Sequence, residues 1–443
     1  MMQTMEQLRS GALAGIKHLR MSCGLETFPG EILGLADSLE ILDLSGNSLS
    51  ALPIDLGRLR KLRILFCSDN RFTELPDVLG DCPELSMIGF KANQISDISP
   101  RALTAKLRWL ILTNNRVKRL PVEIGDCSQL QKLMLAGNEL TSLPASLANC
   151  RRLELVRLSA NRLQAFPEML LALPRLSWLA YSGNPFAADI EASAAASSVV
   201  RDIQWTDLQI DDVLGQGASG IIHRARFRDA NNSVRAVAVK LFKGAMTSDG
   251  TPESERAASV AAGQHPNLIA VNGQIAGHPS GTKGLVMELI GPEFHNLAGP
   301  PSFESCTRDV YSADLSFSLS AVLRMASSTA SLARHLHERG IMHGDLYAHN
   351  TLHDGDGQIL LGDFGAASFY ERDGAIAKGI ERIEVRAFGC MLEELIERCA
   401  GVDQSTDALA VLQDLKSACL SEEPADRPSF SEIDRRLATT IES

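Results

Sequence analysis

Apolar and polar positions alternate in a fixed phase through residues 16–186, in the order L-x-x-L-x-L-x-x-N-x-apolar. The pattern starts at Leu39, Leu62, Leu85, Leu107, Leu130, Leu153 and Leu176, in steps of 23, 23, 22, 23, 23 and 23 residues. Asn47, Asn70, Asn93, Asn115, Asn138, Asn161 and Asn184 hold one phase, and a degenerate unit from Ile16 has Gly24 in the asparagine place. Each L-x-L segment predicts a short strand with its leucines facing a core. The asparagine is suited to satisfy backbone groups where the chain leaves that strand. Prolines at 53, 76, 121, 144 and 167 recur after the strand and shape the return path. One such unit cannot bury its apolar face alone, so the units must stack and the end units must cap.

These residues resemble the leucine-rich-repeat family, which implies a solenoid over residues 1–186. Positions between the core leucines should line its concave face. There Phe66, Met87, Trp109, Ile111, Met134 and Trp178 form an apolar set where a solvated strand would be polar. This set is read as a surface for a protein partner or for the chain's own second half. Cys82, Cys127 and Cys150 fall at one inward phase and read as small buried hydrophobes, not as metal or disulfide ligands.

After Phe186 the period stops, and residues 187–204 read as a linker, Ala- and Ser-rich at first and compatible with a tether or a short helix. A new pattern follows. Leu214, Gly215, Gln216, Gly217, Ala218, Ser219 and Gly220, then Ile222, form a glycine-rich turn after a short apolar run. Its backbone can approach phosphates where side chains would block them. A dinucleotide fold would place a helix directly after these glycines. Residues 234–242 instead predict a strand in which Lys240 is the only cation of its apolar part. A lysine there can hold the α- and β-phosphates. Beyond a helix-like stretch at 318–340 come Asp345, Asn350 and, 13 residues later, Asp363 with Phe364 and Gly365. These supply a carboxylate for an acceptor hydroxyl and oxygen ligands for a hard cation.

With this ordered set, residues 205–440 resemble the eukaryotic-type protein kinase domain. The expected fold is therefore α/β, a solenoid followed by an α+β bilobal domain. The resemblance implies ATP and Mg2+ as cofactors. Lys240 would bind phosphate and pair with Glu255, with Glu253 as competitor; Met287, Glu288 and Leu289 would border the adenine. Asp345 would be the catalytic base, and Asn350 and Asp363 the metal ligands. The central helix of the second lobe is expected to begin near Ile383, and Asp426–Phe430 resemble its closing segment. A protein hydroxyl is the expected acceptor, serine or threonine before tyrosine. The alternatives are a nucleotide-binding switch without catalysis, a small-molecule phosphotransferase, and a repeat scaffold with an inert second half.

Three departures from the family pattern stand out. Gly344 replaces an arginine before Asp345, the path from Asp363 to the central helix is short and lacks the A-P-E triplet, and Tyr347 and His349 replace the residues that mark acceptor specificity. The first two agree, because an arginine that pairs with a loop phosphate has no task without the loop. Activity is therefore expected not to be switched by activation-loop phosphorylation, with Ser368 and Tyr370 as the residues to test. His343 reads as a packed residue of the catalytic loop.

Charge removes one class of function. Residues 1–186 hold 21 Lys and Arg against 18 Asp and Glu, and residues 187–443 hold 22 against 36. Neither half has the basic stripe that binds nucleic acid. No apolar run is long enough to span a bilayer and no secretory leader is evident, so a soluble protein is expected. Nine cysteines without metal-like spacing fit a reducing, cytoplasmic setting.

Overall fold

A computed structural model describes residues 2–197, 200–217, 219–244, 246–247, 249–400 and 407–442. The chain groups into two compact units, residues 1–176 with 184–186, and residues 177–183 with 187–443.

In the first unit each repeat contributes a three-residue strand, among them Ile41–Asp43, Ile64–Phe66, Trp109–Ile111 and Leu155–Arg157. Neighbouring strands run parallel and in register, so Leu42, Leu65, Ile88, Leu110, Leu133 and Val156 form one fully buried row. The asparagines act as expected. Asn138 Oδ1 accepts from Val117 N at 3.0 Å while its Nδ2 donates to Leu112 O and Leu135 O at 2.8 and 3.0 Å. Asn47 serves the degenerate first unit, accepting from Cys23 N and Leu25 N. Short 3-10 turns on the return path start after Pro76, Pro121 and Pro144 and end at Cys82, Cys127 and Cys150. Burial pushes these thiols up, to about 12 for Cys82 and Cys127 and about 11 for Cys150, so they behave as apolar residues.

The strand face differs from the expected open apolar surface. Met87, Trp109, Met134 and Trp178 are buried, whereas Phe66 and Ile111 keep partial exposure. In-register rows shield one another: Met87 sits between Ile64 and Trp109, and the Lys132 ammonium lies 4.5 Å from the Trp109 ring centroid. A β-carbon at Gly89 would lie 2.5 Å from the Phe66 ring, so that glycine makes room for it.

In the second unit, residues 187–204 hold a helix, Ala188–Ser197, and a strand, Asp202–Gln204, which pairs with Val271–Ala276. A six-stranded sheet runs in the order Asp202–Gln204, Val271–Ala276, Gly284–Glu288, Val234–Phe242, Gly220–Arg228, Leu208–Gln216. Val237, Val239, Ala225, Phe227 and Val286 form its buried core. Helix Pro252–Ala261 starts from a Thr251 cap. The remainder is mainly helical: Leu319–His337, Ala377–Glu397, Asp407–Cys419 and Phe430–Glu442. The central helix starts at Ala377, earlier than the expected 383, because Ile376 begins it without a side-chain cap that the sequence would reveal.

Candidate active site

Strand Val234–Phe242 carries Lys240 and helix Pro252–Ala261 carries Glu255; both side chains are buried. Lys240 Nζ forms an ion pair with Glu255 Oε1 and lies 3.9 Å from Asp363 Oδ1. Burial works against this ammonium, but the charges of Asp363 and Glu255 outweigh it and hold the lysine above its usual pKa. Glu253, the competing carboxylate, faces Arg256 and Lys283 instead.

Asp345 and Asn350 stand on the loop after strand Ile341–Met342. Asn350 Nδ2 donates to Asp345 Oδ2 at 2.8 Å and to Asp345 O at 3.0 Å. Strands Thr351–His353 and Ile359–Leu361 form a hairpin in which Thr351 pairs with Leu361. Asn350 and Asp363 therefore leave the hairpin at the same end. Asp363 holds φ +54°, and its Oδ1 accepts from Gly365 N at 3.2 Å. Its side chain is 55% exposed, which leaves the carboxylate open to a ligand.

The glycine-rich turn joins strands Leu208–Gln216 and Gly220–Arg228. A β-carbon on Gly215 or Gly217 would meet nothing within 4 Å, so these positions border open space, while one on Gly220 would strike Leu241 O at 2.5 Å. Leu214 and Gln216 are exposed, Ser219 is buried, and Ala218 lies outside the described residues. Ile222 pairs with Lys240, and Met287 pairs with Ala238 on the opposite neighbour strand. Glu288 and Leu289 line a cavity of about 640 Å³ together with His265, Leu268 and Leu360. None of Lys240, Asp345, Asn350 and Asp363 lines this cavity.

Among the described residues no three His, Cys, Asp or Glu side chains gather into a metal cage. Magnesium at a phosphoryl-transfer site needs only one or two carboxylates beside the phosphates. The exposed Asp363 carboxylate and the Asn350 amide oxygen are the hard oxygen donors it takes, so the residues fit that ion.

The sequence left one residue without a role. Glu384, on the central helix and fully buried, accepts Gly344 N at 2.7 Å and His343 N at 3.1 Å. His337 Nε2 lies 2.8 Å from the same carboxylate, and its Nδ1 lies 2.7 Å from the Tyr370 hydroxyl. Burial alone would raise this carboxyl's pKa; the hydrogen bond and charge of His337 reverse that and hold it below the usual range. His343 is packed as expected, its Nε2 3.0 Å from Gly362 O and its ring 5.1 Å from Phe364. His349 Nδ1 lies 2.7 Å from Asp309 Oδ1. Burial would lower its pKa, but Asp309 outweighs burial and lifts the imidazole above its usual value. Ser368 and Tyr370, the residues named for a phosphorylation test, are both buried.

Comparison with known proteins finds matches in both parts of the chain. A family model described as protein tyrosine and serine/threonine kinase matches residues 208–386, and leucine-rich-repeat models match 38–59 and 105–163. A serine/threonine-protein kinase of Arabidopsis thaliana is 29% identical over 205 residues, covering 44% of this chain and 37% of its own. A probable serine/threonine-protein kinase of the same plant is 26% identical, covering 36% and 20%. Mouse ephrin type-B receptor 4 is 26% identical, covering 43% and 18%. The chain thus spans well under half the length of these relatives. A solved LRR protein of Leptospira interrogans is 25% identical over 42% of this chain and 53% of its own, with a TM-score of 0.35. Among the described residues no helix is long and apolar enough to cross a membrane. The chain carries leucine-rich repeats and, after them, a protein kinase domain.

Proposed function

We propose that residues 205–440 transfer the γ-phosphoryl group of ATP to a protein hydroxyl, serine or threonine before tyrosine. Residues 1–186 would recruit or regulate through protein contacts, with 187–204 joining the two. The supporting observation is the convergence of Lys240, Glu255 and Asp363, with Asn350 leaving the same end of the hairpin. Lys240 would hold the α- and β-phosphates of ATP, which the open backbone at Gly215 and Gly217 lets approach, and Glu255 fixes its ammonium. Asp345 accepts the hydroxyl proton and orients the acceptor for in-line attack. Asn350 and Asp363 would hold magnesium, which when bound would neutralise charge on the phosphates. The names of the two plant relatives support serine and threonine as acceptors. The odd number of cysteines, without metal-like spacing, supports a reducing, cytoplasmic setting.

A second reading, a nucleotide-binding switch without transfer, is favoured by one feature: residues 364–376 alone separate Asp363 from the central helix, a small platform for a peptide. Labelled ATP with a casein acceptor, followed by phosphoamino-acid analysis, separates the two. Phosphoserine or phosphothreonine is expected. Phosphotyrosine alone would overturn the acceptor assignment, and ATP binding without label on casein or on the chain itself would favour the switch.

A further inference from the structure

Residues 177–183 belong to the last repeat by phase, yet they group with the second unit and pack on its catalytic loop. The Trp178 ring stacks on Tyr347, with centroids 4.1 Å apart and planes 8° from parallel. Its Nε1–H donates to Leu346 O at 3.1 Å, the carbonyl directly after Asp345. Tyr347 in turn contacts the His349 ring at 4.8 Å. Two further ties flank this stack: Tyr181 N donates to Ser368 Oγ at 2.9 Å, and Arg386 Nη1 donates to Ser177 Oγ at 2.8 Å. Gly344 completes the fit. It holds φ +74°, and a β-carbon there would lie 2.5 Å from Leu179 O and equally close to Ala366 O. The absence of a side chain before Asp345 is therefore a packing requirement of the 177–183 segment.

We propose that this segment positions the catalytic loop in cis, with Trp178 and Tyr347 as positioning residues for Asp345; the proposal rests on the phosphotransfer reading above. Residues 364–376 are few, and the strand among them, Ser368–Phe369, has only two residues. Trp178 and Tyr347, 1% and 4% exposed, supply a rigid plane in their place. The segment contacts the loop backbone and the Tyr347 ring, while the side chain of Asp363 stays half-exposed. That geometry suits a brace behind the catalytic groups, not a plug in front of them.

The test uses the full chain with Trp178→Phe, which keeps an aromatic ring but loses the N–H donor, and Trp178→Leu, which loses both. Steady-state kinetics and amide hydrogen exchange are read together. In the Leu variant kcat should fall about 10- to 100-fold with KM for ATP within about twofold. Exchange at residues 344–350 should quicken while strand Val234–Phe242 stays protected. The Phe variant should fall between, and it decides by the same two readouts if the Leu variant does not fold. Wild-type kcat together with unchanged exchange in the loop would overturn the proposal, as would a rise in kcat, which marks a brake on turnover. If the wild-type protein transfers no phosphate, the kinase reading fails, and loop exchange alone decides whether Trp178 positions it.

Discussion

Glu384 Oε1 accepts the backbone N–H of Gly344 at 2.7 Å, tying the central helix to the residue before Asp345. With His343 N on its other oxygen, this one carboxylate satisfies two consecutive loop amides that no strand partner reaches. Its hydrogen bond to His337 extends the tie to Tyr370. Removing one member leaves the others buried and unmatched.

Glu384→Ala should therefore destabilise the second unit by about 3–5 kcal/mol in urea unfolding, the range for breaking a buried charged network. The pH dependence has a defined sign. Because the folded carboxyl sits below its ordinary value, its stabilisation is complete above that ordinary value and is lost as pH falls through the folded one. Glu384→Gln should flatten this part of the acid limb.

His349 gives the opposite slope. Its folded pKa is raised, so its contribution is complete below about 6.5 and is lost as pH rises through the folded value. Unfolding free energies measured from pH 6 upward should decline less steeply for His349→Gln than for the wild-type chain. An unchanged slope would show that the ion pair with Asp309 does not matter to folding.

Gly344→Ala places a β-carbon at positive φ and 2.5 Å from two carbonyl oxygens. Strain of this kind costs on the order of 1–3 kcal/mol, and overpacking adds a similar amount. Thermal unfolding should show a clear drop, whereas the same change at Gly355, which has open space around it, should cost only the backbone part.

Ser368→Ala removes the acceptor of Tyr181 N, a buried amide. It should cost about 1–3 kcal/mol in stability. Loss of activity in a Ser368→Ala, Tyr370→Phe double variant is thus expected to track unfolding, and activity should return at a temperature where the variant is folded. Phosphate on either residue in the native protein would contradict their burial.

The repeats were legible because leucine and asparagine keep one phase, and each position has one physical task. Val234–Phe242 was legible for a similar reason, a lysine set into an apolar strand. Glu255 was preferred with Glu253 as competitor, since they lie on one turn of one helix; in the structure the strand beside them pairs with Glu255. Glu384 was missed because its partners lie 40 residues back and form no local motif. Trp178 falls in a strand, as its phase implied, but phase tells nothing of the partner its side chain meets. What stacks on it, Tyr347, stands 169 positions away. Gly344 was read as a lost arginine; the backbone of Leu179 supplies the steric reason.

The most direct test of phosphotransfer is a single-turnover assay with γ-labelled ATP, comparing the wild-type chain with Asp345→Asn at saturating nucleotide. The wild type should transfer label to itself or to casein. The variant should bind ATP with an unchanged thermal shift, about 2.7 kcal/mol at a hundredfold excess over Kd, and transfer about a hundredfold less or slower. Equal transfer by both proteins would contradict a catalytic Asp345, and the absence of transfer by either would contradict the kinase assignment.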